Sequence, residues 1–312
     1  MTSLGNSTIF ATPISYIART RAYYLALGYD NPYQWASFDE IPFTRLHRPL
    51  NQAKVAIVTT AAPYRPELGD QGPGAAYNAD AKFYDVYQML ASPIPDLRIS
   101  HVAIDRAHTS GEDPASYLPL AALMRAKDDQ LIGDCAKTIF GLPTNRSQRT
   151  TLEVDAPRLL ELMAAENVDA AIFVPNCPIC HQSSALAARH IEQAGIATVV
   201  MGCAHDIIKQ AGTPRAVFSD FPLGNSAGRP HDVASQDMTL RLALDLLEDA
   251  GEAGAITTSP LRWSDDDSWK EDYSNPDKLT AEELARRKAE FDQGKAIARK
   301  LRADAPPKGR AS

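Results

Sequence analysis

The 312-residue chain has only four cysteines and no excess of positive charge. Four cysteines in a chain of this length do not make a disulfide scaffold, and a hydrophobic content of 44% is enough for a sizeable core without one. Lys and Arg number 32 against 39 Asp and Glu, which gives a formal charge of -7. Because phosphate backbones recruit basic proteins, we expect no nucleic acid partner.

Long apolar runs and an export signal are also missing. No segment approaches the roughly 20 apolar residues of a membrane-spanning helix. The opening MTSLGNSTIFATPISY has no basic region followed by an apolar one. We therefore expect a cytoplasmic protein without a membrane partner, whose cysteines lie in a reducing compartment. Neither the dinucleotide fingerprint nor the phosphate-binding P-loop is present, so no nucleotide is predicted.

The second half of the chain alternates helix and strand patterns with short connections, which is typical of a parallel sheet with right-handed crossovers. The predicted helices are 156–166, 183–194, 205–210 and 232–247. The predicted strands are the β-branched apolar runs 170–174, 197–201 and 216–219.

The first half predicts a less complete α/β unit. A helical arm is expected over 14–27, followed by an irregular connector over 31–50. The run 54–60 is apolar without alternation, as in a parallel strand that is covered on both faces. A second strand over 97–104 and a helix over 117–127 complete this part.

These patterns predict an α/β protein with two parallel-sheet units of Rossmann-like or flavodoxin-like type. We expect four parts: an N-terminal helical arm and connector (1–50), a first α/β unit (51–150), a second unit that carries the Cys-x-x-Cys (151–255), and an acidic, aromatic loop with a charged helical tail (256–312).

The charged tail begins with a capping box, Thr280-Ala-Glu-Glu283. Its apolar stripe is thin, which favours a solvated helix. A helix that wraps a partner subunit is the alternative.

The strongest candidate for chemistry is the motif Asn176-Cys-Pro-Ile-Cys-His-Gln182, which lies between a predicted strand and a predicted helix. Open α/β sheets place their sites at such strand ends. Backbone N–H groups and the helix dipole there stabilise a thiolate, so Cys177 is the predicted nucleophile. Cys180, one turn later, is placed to resolve a sulfur-bound intermediate as a disulfide. His181 and His205 are the candidate catalytic acids.

Two other interpretations of the motif remain open. The cysteines are structural if they simply pack as small apolar side chains. Alternatively, they bind a metal ion together with nearby soft ligands, although a second Cys-x-x-Cys is missing. The ligand set would be Cys177, Cys180, His181 and Cys203.

Polar segments at other predicted strand ends supply candidate substrate-binding residues. Guanidinium and amide groups bind carboxylates and phosphates well, and Arg146 and Arg229 are expected to face the pocket of Cys177. The same segments also fit exposed loops or tight connectors. The candidates are Arg146, Arg149, Asn225, Arg229, His101 and His108.

Several motifs resemble the glycine/sarcosine/betaine reductase component B and D-proline reductase family, and in particular a branch that reads Sec-Pro-Val-Cys-His-Gln at the cysteine motif. They are VPNCPICHQSS, ARHIEQAGIATVV and DFPLGNSAGRP, together with YIARTRAYYLALGY, HVAIDRAHTS, GLPTNRSQRTTLEVDAP and PLRWSDDDSWKEDY, so the resemblance covers nearly the whole chain.

The resemblance implies reductive cleavage of a carbon–heteroatom bond by a selenolate or thiolate. Cys177 matches the selenocysteine, and Cys180 matches its partner cysteine. A cysteine thiol has a higher pKa than a selenol and is a poorer leaving group. The best-known relatives activate a substrate amine with a pyruvoyl group on a separate subunit, and this chain has no such maturation site. Amino-acid specificity is therefore not carried over.

The sequence thus predicts a thiol-dependent oxidoreductase or reductive lyase that acts on a small, polar, anionic substrate. A dithiol electron donor is implied, a thiol redox partner protein is expected, and the chain is expected to form a homo-oligomer. A metalloenzyme and a non-catalytic small-molecule-binding protein on the same scaffold are the alternatives.

Overall fold

A computed structural model describes residues 12–304, with side chains described to residue 301. The strands are β1 (Lys54–Thr59), β2 (Ala62–Pro63), β3 (Tyr87–Leu90), β4 (Leu97–Arg98), β5 (Asp134–Cys135), β6 (Thr138–Gly141), β7 (Ala170–Val174), β8 (Ala197–Gly202), β9 (Arg215–Phe218) and β10 (Ala255–Thr258). The α-helices are α1 (Tyr16–Ala26), α2 (Leu120–Asp128), α3 (Gln148–Thr150), α4 (Ala156–Ala165), α5 (Pro178–Gln193), α6 (His205–Gln210), α7 (Val233–Asp249) and α8 (Ala281–Asp304).

Shorter helical segments connect these elements. A π-helical turn, Thr151–Asp155, joins α3 to α4. The 3-10 turns are Leu50–Gln52, Pro66–Leu68, Pro114–Ser116, Ser268–Glu271 and Pro276–Lys278.

The main sheet has eight strands and confirms the α/β class. Its order is β10-β9-β8-β7-β1-β6-β3, and β5 pairs with β1 beside β6. All pairs are parallel except β3 with β6 at one edge, and β2 and β4 form a separate antiparallel pair. The predicted strand 54–60 of the first unit belongs to the same sheet as the predicted strands of the second unit, because β1 pairs with β7 along its length, whereas β4 lies outside this sheet. Both β1 and β7 are buried runs that need neighbours on each side.

Side chains of alternate strand residues enter two apolar cores. One core, which includes Ile57, Ile172 and Val199, is covered by α2 and α7. The other includes Val58 and Phe173 and is covered by α4 and α5. The absence of hydrophobic alternation in the strands follows from this burial on both faces.

The chain leaves β1 and β7 in opposite directions. After β1 it continues to β6 on one side, and after β7 it continues through α5 to β8 on the other side. Such a reversal is the switch point at which open α/β sheets bind ligands, in the crevice beyond the carboxyl ends of the two strands.

A covering layer lies over part of this carboxyl edge; it consists of α1 and residues 261–273. Tyr16 and Trp269 pack there against Cys203 and Phe221. Asp206 at the start of α6 accepts hydrogen bonds from the first turn of α1, which fixes the arm on the sheet.

The tail helix α8 packs back on the arm. The predicted capping box is present, with the Glu283 N–H donating to Thr280 Oγ1 over 3.2 Å and the Thr280 N–H donating to Glu283 Oε2 over 3.0 Å. Phe291 contacts the ring of Tyr24, with 5.1 Å between centroids, so the helix is not solvated on every side. Within residues 12–304 no helix is both long and apolar enough to cross a membrane.

Two predicted elements of the first half differ from the structure. The strand expected over 97–104 is limited to Leu97–Arg98, because buried loop residues such as Ser100 and His101 follow it. The helix expected from 117 begins at Leu120, since Tyr117 is the C-cap of the preceding 3-10 turn.

Candidate active site at the carboxyl edge of the sheet

The cysteine motif lies at the switch point. Asn176 follows β7, and both its backbone N–H and its side-chain Nδ2 donate to Thr60 Oγ1, each over 3.2 Å. Thr60 follows β1, so these hydrogen bonds join the carboxyl ends of β1 and β7. The structure therefore places Cys177 in the crevice where this fold class carries its chemistry.

Cys177 and Cys180 form a pair at the start of α5. Their Cα atoms are 4.9 Å apart, and the two sulfur atoms lie at disulfide distance. Cys177 is the N-cap of the helix, and its Sγ accepts the N–H of Cys180 over 3.1 Å. Pro178 follows at the first helical position, where a backbone donor is not needed. The arrangement is suited to alternate between a dithiol and a disulfide.

Both sulfur atoms are enclosed. Cys177 is 3% exposed and Cys180 is fully buried. The side chain of Thr144, three residues beyond β6, reaches Cys180, with 3.2 Å between Oγ1 and Sγ. Thr144 is half-buried and is therefore more exposed to solvent than either cysteine.

His181 connects the cysteine motif to the next strand end. Its Nδ1 donates to the carbonyl of Cys177 over 2.7 Å, and its Nε2 accepts the N–H groups of Cys203 and Ala204 over 2.9 and 3.2 Å. Burial lowers the pKa of His181 to about 4. Because both ring nitrogens are occupied in the neutral form, the geometry fits a positioning residue rather than a proton donor.

Gly202 leaves the space that the His181 ring needs. A Cβ at this position would lie 2.8 Å from Cδ2 of His181 and equally close to Ile208. No side chain fits there without moving the imidazole, so β8 approaches α5 closely only because residue 202 is glycine.

The proposed metal ligands are not arranged around a common point. Among residues 12–304 no group of three His, Cys, Asp or Glu side chains is placed to hold a metal ion. His181 uses both nitrogens on the backbone, and Cys203 Sγ lies 3.6 Å from Ser226 Oγ. Burial raises the pKa of Cys203 to about 12, so its thiol is neutral in this surrounding.

His205 is the first residue of α6. Its ring packs on Phe218 with 5.0 Å between centroids, and burial lowers its pKa. A neutral imidazole at this position accepts a proton more readily than it donates one.

The candidate arginines have other protein groups as partners. Arg146 donates to Tyr24 Oη over 2.7 Å, and its guanidinium lies over the rings of Tyr24 and Phe291. Arg229 pairs with Asp232. The side chain of Arg149 is 82% exposed, and Glu153 is its ion-pair neighbour at 4.0 Å. Their roles as substrate anchors, and the orientation of Arg146 and Arg229 towards Cys177, stay predictions.

The other candidate binding residues occupy different parts of the same edge. Asn225 is buried and donates to Thr109 Oγ1 over 2.7 Å. This hydrogen bond fixes the loop that carries Asn225. His108 bonds to Asp272 of the 261–273 segment over 2.9 Å. His101 is buried beside Phe83, and burial lowers its pKa to about 3.

Buried polar atoms without hydrogen bonds lie close to the cysteine motif. Among them are Oδ1 of Asn176 and the Oγ atoms of Ser183 and Ser184 on α5, and the buried His101 ring contacts the backbone of Thr60. A buried polar atom without a partner is destabilising, so such atoms are suited to bind polar groups of a ligand. The sequence did not single out Thr60 and Thr144, and it named Asn176 only as the first residue of the cysteine motif; the available signal was that each of them follows a strand end.

The fold and the site define an α/β protein with a thiol pair at its switch point, and sequence comparisons narrow the class. D-proline reductase subunit gamma of Acetoanaerobium sticklandii is 25% identical over 228 residues, which cover 71% of this chain and 89% of that protein. Glycine reductase complex component B subunit gamma of Peptoclostridium acidaminophilum is 24% identical over 207 residues, covering 64% of this chain and 46% of the relative.

The same subunit of Symbiobacterium thermophilum is 24% identical over 221 residues, which are 69% of this chain and 50% of the relative. The chain thus spans about half the length of the glycine reductase relatives. No family model and no solved structure match the sequence. At this modest identity, the relatives confirm the family resemblance carried by the motifs and support a reductase function.

Proposed function

We propose that this protein is a thiol-dependent reductase that cleaves a carbon–heteroatom bond of a small polar substrate through Cys177, with Cys180 as the resolving thiol. The pairing of the two sulfur atoms at the helix start, in the switch-point crevice, carries the proposal. The reductase names of the relatives agree with it.

The reaction has two steps at sulfur. The Cys177 thiolate attacks carbon, a carbon–sulfur bond forms, and the heteroatom leaves with the electron pair and takes up a proton. The Cys180 thiolate then attacks Cys177 Sγ and forms the disulfide. The carbon leaves with the electron pair of the carbon–sulfur bond and is protonated. The substrate gains two electrons and two protons, and an external dithiol must reduce the disulfide.

The surroundings of the pair suit this role. The N–H of Cys180 points at Cys177 Sγ, which favours the thiolate of the predicted nucleophile. His181 holds the carbonyl of Cys177, so the nucleophile is fixed relative to β8. Asn176 Oδ1, which has no hydrogen bond, offers an acceptor to a substrate. The relatives are named as subunits, and we propose partner proteins for this chain as well, including a thiol redox protein.

Limiting alkylation tests the assignment. The anaerobically reduced protein is treated with limiting iodoacetamide at neutral pH, and the peptides are analysed by mass spectrometry. We expect Cys177 to be labelled first and the pair to oxidise together. Cys135 and Cys203 are internal controls, because burial raises their pKa values to about 11 and about 12.

Activity of cysteine variants then separates the roles. Cys177→Ser is expected to abolish turnover, and Cys180→Ser is expected to stop after one turnover with an adduct on Cys177. First labelling of Cys180, or multiple turnover by Cys177→Ser, would contradict the assignment.

A further inference from the structure

We propose that Thr144 stabilises the thiolate of Cys180 and thereby makes Cys180 the leaving sulfur when the Cys177–Cys180 disulfide is reduced. This inference rests on the proposed function, since it concerns the return of the oxidised pair to the dithiol. It assigns a direct role at sulfur to a residue that lies more than thirty positions away in the sequence.

The two sulfur atoms have different donors. Cys177 caps α5, so the free N–H groups of the first helical turn face its Sγ, as the 3.1 Å bond from the Cys180 N–H shows. Cys180 lies within the helix, where backbone donors are directed along the helix axis to carbonyls. A thiolate at Cys180 therefore needs a side-chain donor. The hydroxyl of Thr144, 3.2 Å from Cys180 Sγ, is placed to supply it.

The loop that carries Thr144 is fixed on both sides. Before it, the N–H of Leu142 donates to the carbonyl of Thr59 at the end of β1 over 2.8 Å. After it, the amide of buried Asn145 donates to Asp155 over 2.6 Å. A hydroxyl held by such anchors keeps its position when the charge on the neighbouring sulfur changes, which is the condition for electrostatic stabilisation.

A hydrogen-bond relay joins this loop to the helix of Cys180. Gln182, two residues after Cys180, donates to Tyr33 Oη over 2.5 Å, and Tyr33 donates to the carbonyl of Arg146 over 2.9 Å. The backbone N–H of Ala36 also donates to Gln182. The residues near Thr144 and those near Cys180 thus belong to one hydrogen-bond network. This network fixes the position of the hydroxyl relative to the sulfur.

The role of Thr144 follows from the direction of the exchange. A thiolate of an external dithiol attacks Cys177 Sγ, a mixed disulfide forms, and the Cys177–Cys180 bond breaks. Its electron pair goes to Cys180 Sγ, which accepts the hydrogen bond of Thr144. The second thiolate of the reductant then attacks its own sulfur in the mixed disulfide and releases Cys177 as thiolate. Rates of such exchange rise as the leaving thiol becomes more acidic.

The test compares Thr144→Val, which removes the hydroxyl at nearly constant shape, with Thr144→Ser, which keeps it. Thr150→Val is the matched control, because Thr150 lies in the same segment and bonds to Ser147 instead. The full-length protein is oxidised, and its reduction by dithiothreitol is followed by quenched alkylation and mass spectrometry. We expect Thr144→Val to slow reduction about threefold, as for a rise of about one unit in the pKa of the leaving thiol with a Brønsted coefficient of about 0.5. Thr144→Ser and Thr150→Val should stay close to the unmodified protein.

A second measurement reads the thiol directly. In a Cys177→Ser background, Thr144→Val should raise the pH midpoint for alkylation of Cys180 by about one unit. Thr144→Ser should leave this midpoint unchanged. If Thr144→Val does not fold, Thr144→Ala serves for the same comparison.

Equal reduction rates and equal alkylation midpoints for the unmodified protein and Thr144→Val would overturn the role of Thr144. This result differs from a failure of the proposed function, in which Cys177 and Cys180 would not oxidise as a pair even in the unmodified protein.

Discussion

The two ends of α5 both bury polar groups, but they do so in different ways. At the carboxyl end, Glu192 accepts hydrogen bonds from Arg215, from the N–H of Thr44 and from the N–H and hydroxyl of Thr198. At the amino end, Asn176 Oδ1 has no hydrogen bond and two sulfur atoms lie beside it. Burial of polar residues is common to both ends, and Arg215 Nε also has no hydrogen bond. The two ends differ in that several donors hold the Glu192 carboxylate, whereas Asn176 Oδ1 has none beside the sulfur pair.

Breaking the partnered end should give the largest loss of stability. Arg215 and Glu192 have fully buried side chains, so Arg215→Met leaves a carboxylate in the interior without its cation. The free energy of unfolding should fall by about 3–5 kcal/mol in urea denaturation. Alkylation of the reduced cysteines should be unchanged, since the ion pair lies at the opposite end of the helix.

Arg158→Met is the control for this variant, because Arg158 and Glu161 form an exposed pair with side chains 57% and 62% accessible. Its effect should stay below about 1 kcal/mol. A similar small loss for Arg215→Met would mean that the buried carboxylate is stabilised by its other donors alone.

Replacing the positioning histidine at the amino end should have an intermediate, pH-dependent effect. His181→Leu removes the acceptor of the Cys203 and Ala204 N–H groups and the donor to the Cys177 carbonyl. We expect a loss of about 3 kcal/mol at pH 7, since unpaired buried groups are costly. Urea denaturation of both proteins at several pH values measures it.

The sign of the pH effect follows from the lowered pKa of His181. The unfolded chain binds a proton near the ordinary pKa, whereas the folded protein binds it only near pH 4. The stability contribution of His181 is therefore complete above about pH 6.5 and is lost as the pH falls towards 4. Between pH 7 and pH 5 the gap between the unmodified protein and His181→Leu should narrow by about 2 kcal/mol. A gap that is constant or widens would show that His181 is protonated in the folded state.

Removing the tail should have the smallest effect, because it touches neither end of α5. Deletion of Pro276–Ser312 removes the contacts of α8 with the arm, such as Phe291 with Tyr24 and Asp292 with Tyr29. The α/β core should keep a cooperative unfolding transition in calorimetry. Insolubility or loss of the transition would instead assign α8 to the core or to an obligate interface.

The sequence predicted the central elements well, because burial leaves a clear local pattern. The strand 170–174 and the helix 205–210 have the predicted bounds, and the predicted strand 54–60 is one residue longer than β1. The four-residue strands Tyr87–Leu90 and Ala255–Thr258 at the edges and the buried strand Thr138–Gly141 beside β1 were missed, since four residues are too few to show a period.

The sequence predicted only the part of the site whose residues are close together in the chain. The cysteine motif contains its own cap and its own pairing, and the helix predicted over 183–194 begins at Pro178 because Cys177 caps it. Thr60 and Thr144 reach the motif only because β1 lies beside β7 in the sheet and β6 lies next to β1. Strand order depends on tertiary packing, so no local pattern of residues indicates such partners.

The covering layer also affects how the protein is made. Its apolar contacts join Ile14 and Tyr16 to Cys203, Phe221 and Trp269, across more than 250 residues of chain. Translation proceeds from the amino terminus, so the arm emerges from the ribosome first but has no complete surface to pack on until residue 269 has followed. The part of the carboxyl edge that this layer covers, with the Cys203 thiol, is therefore among the last parts of the nascent protein to be shielded from oxidants and from other chains.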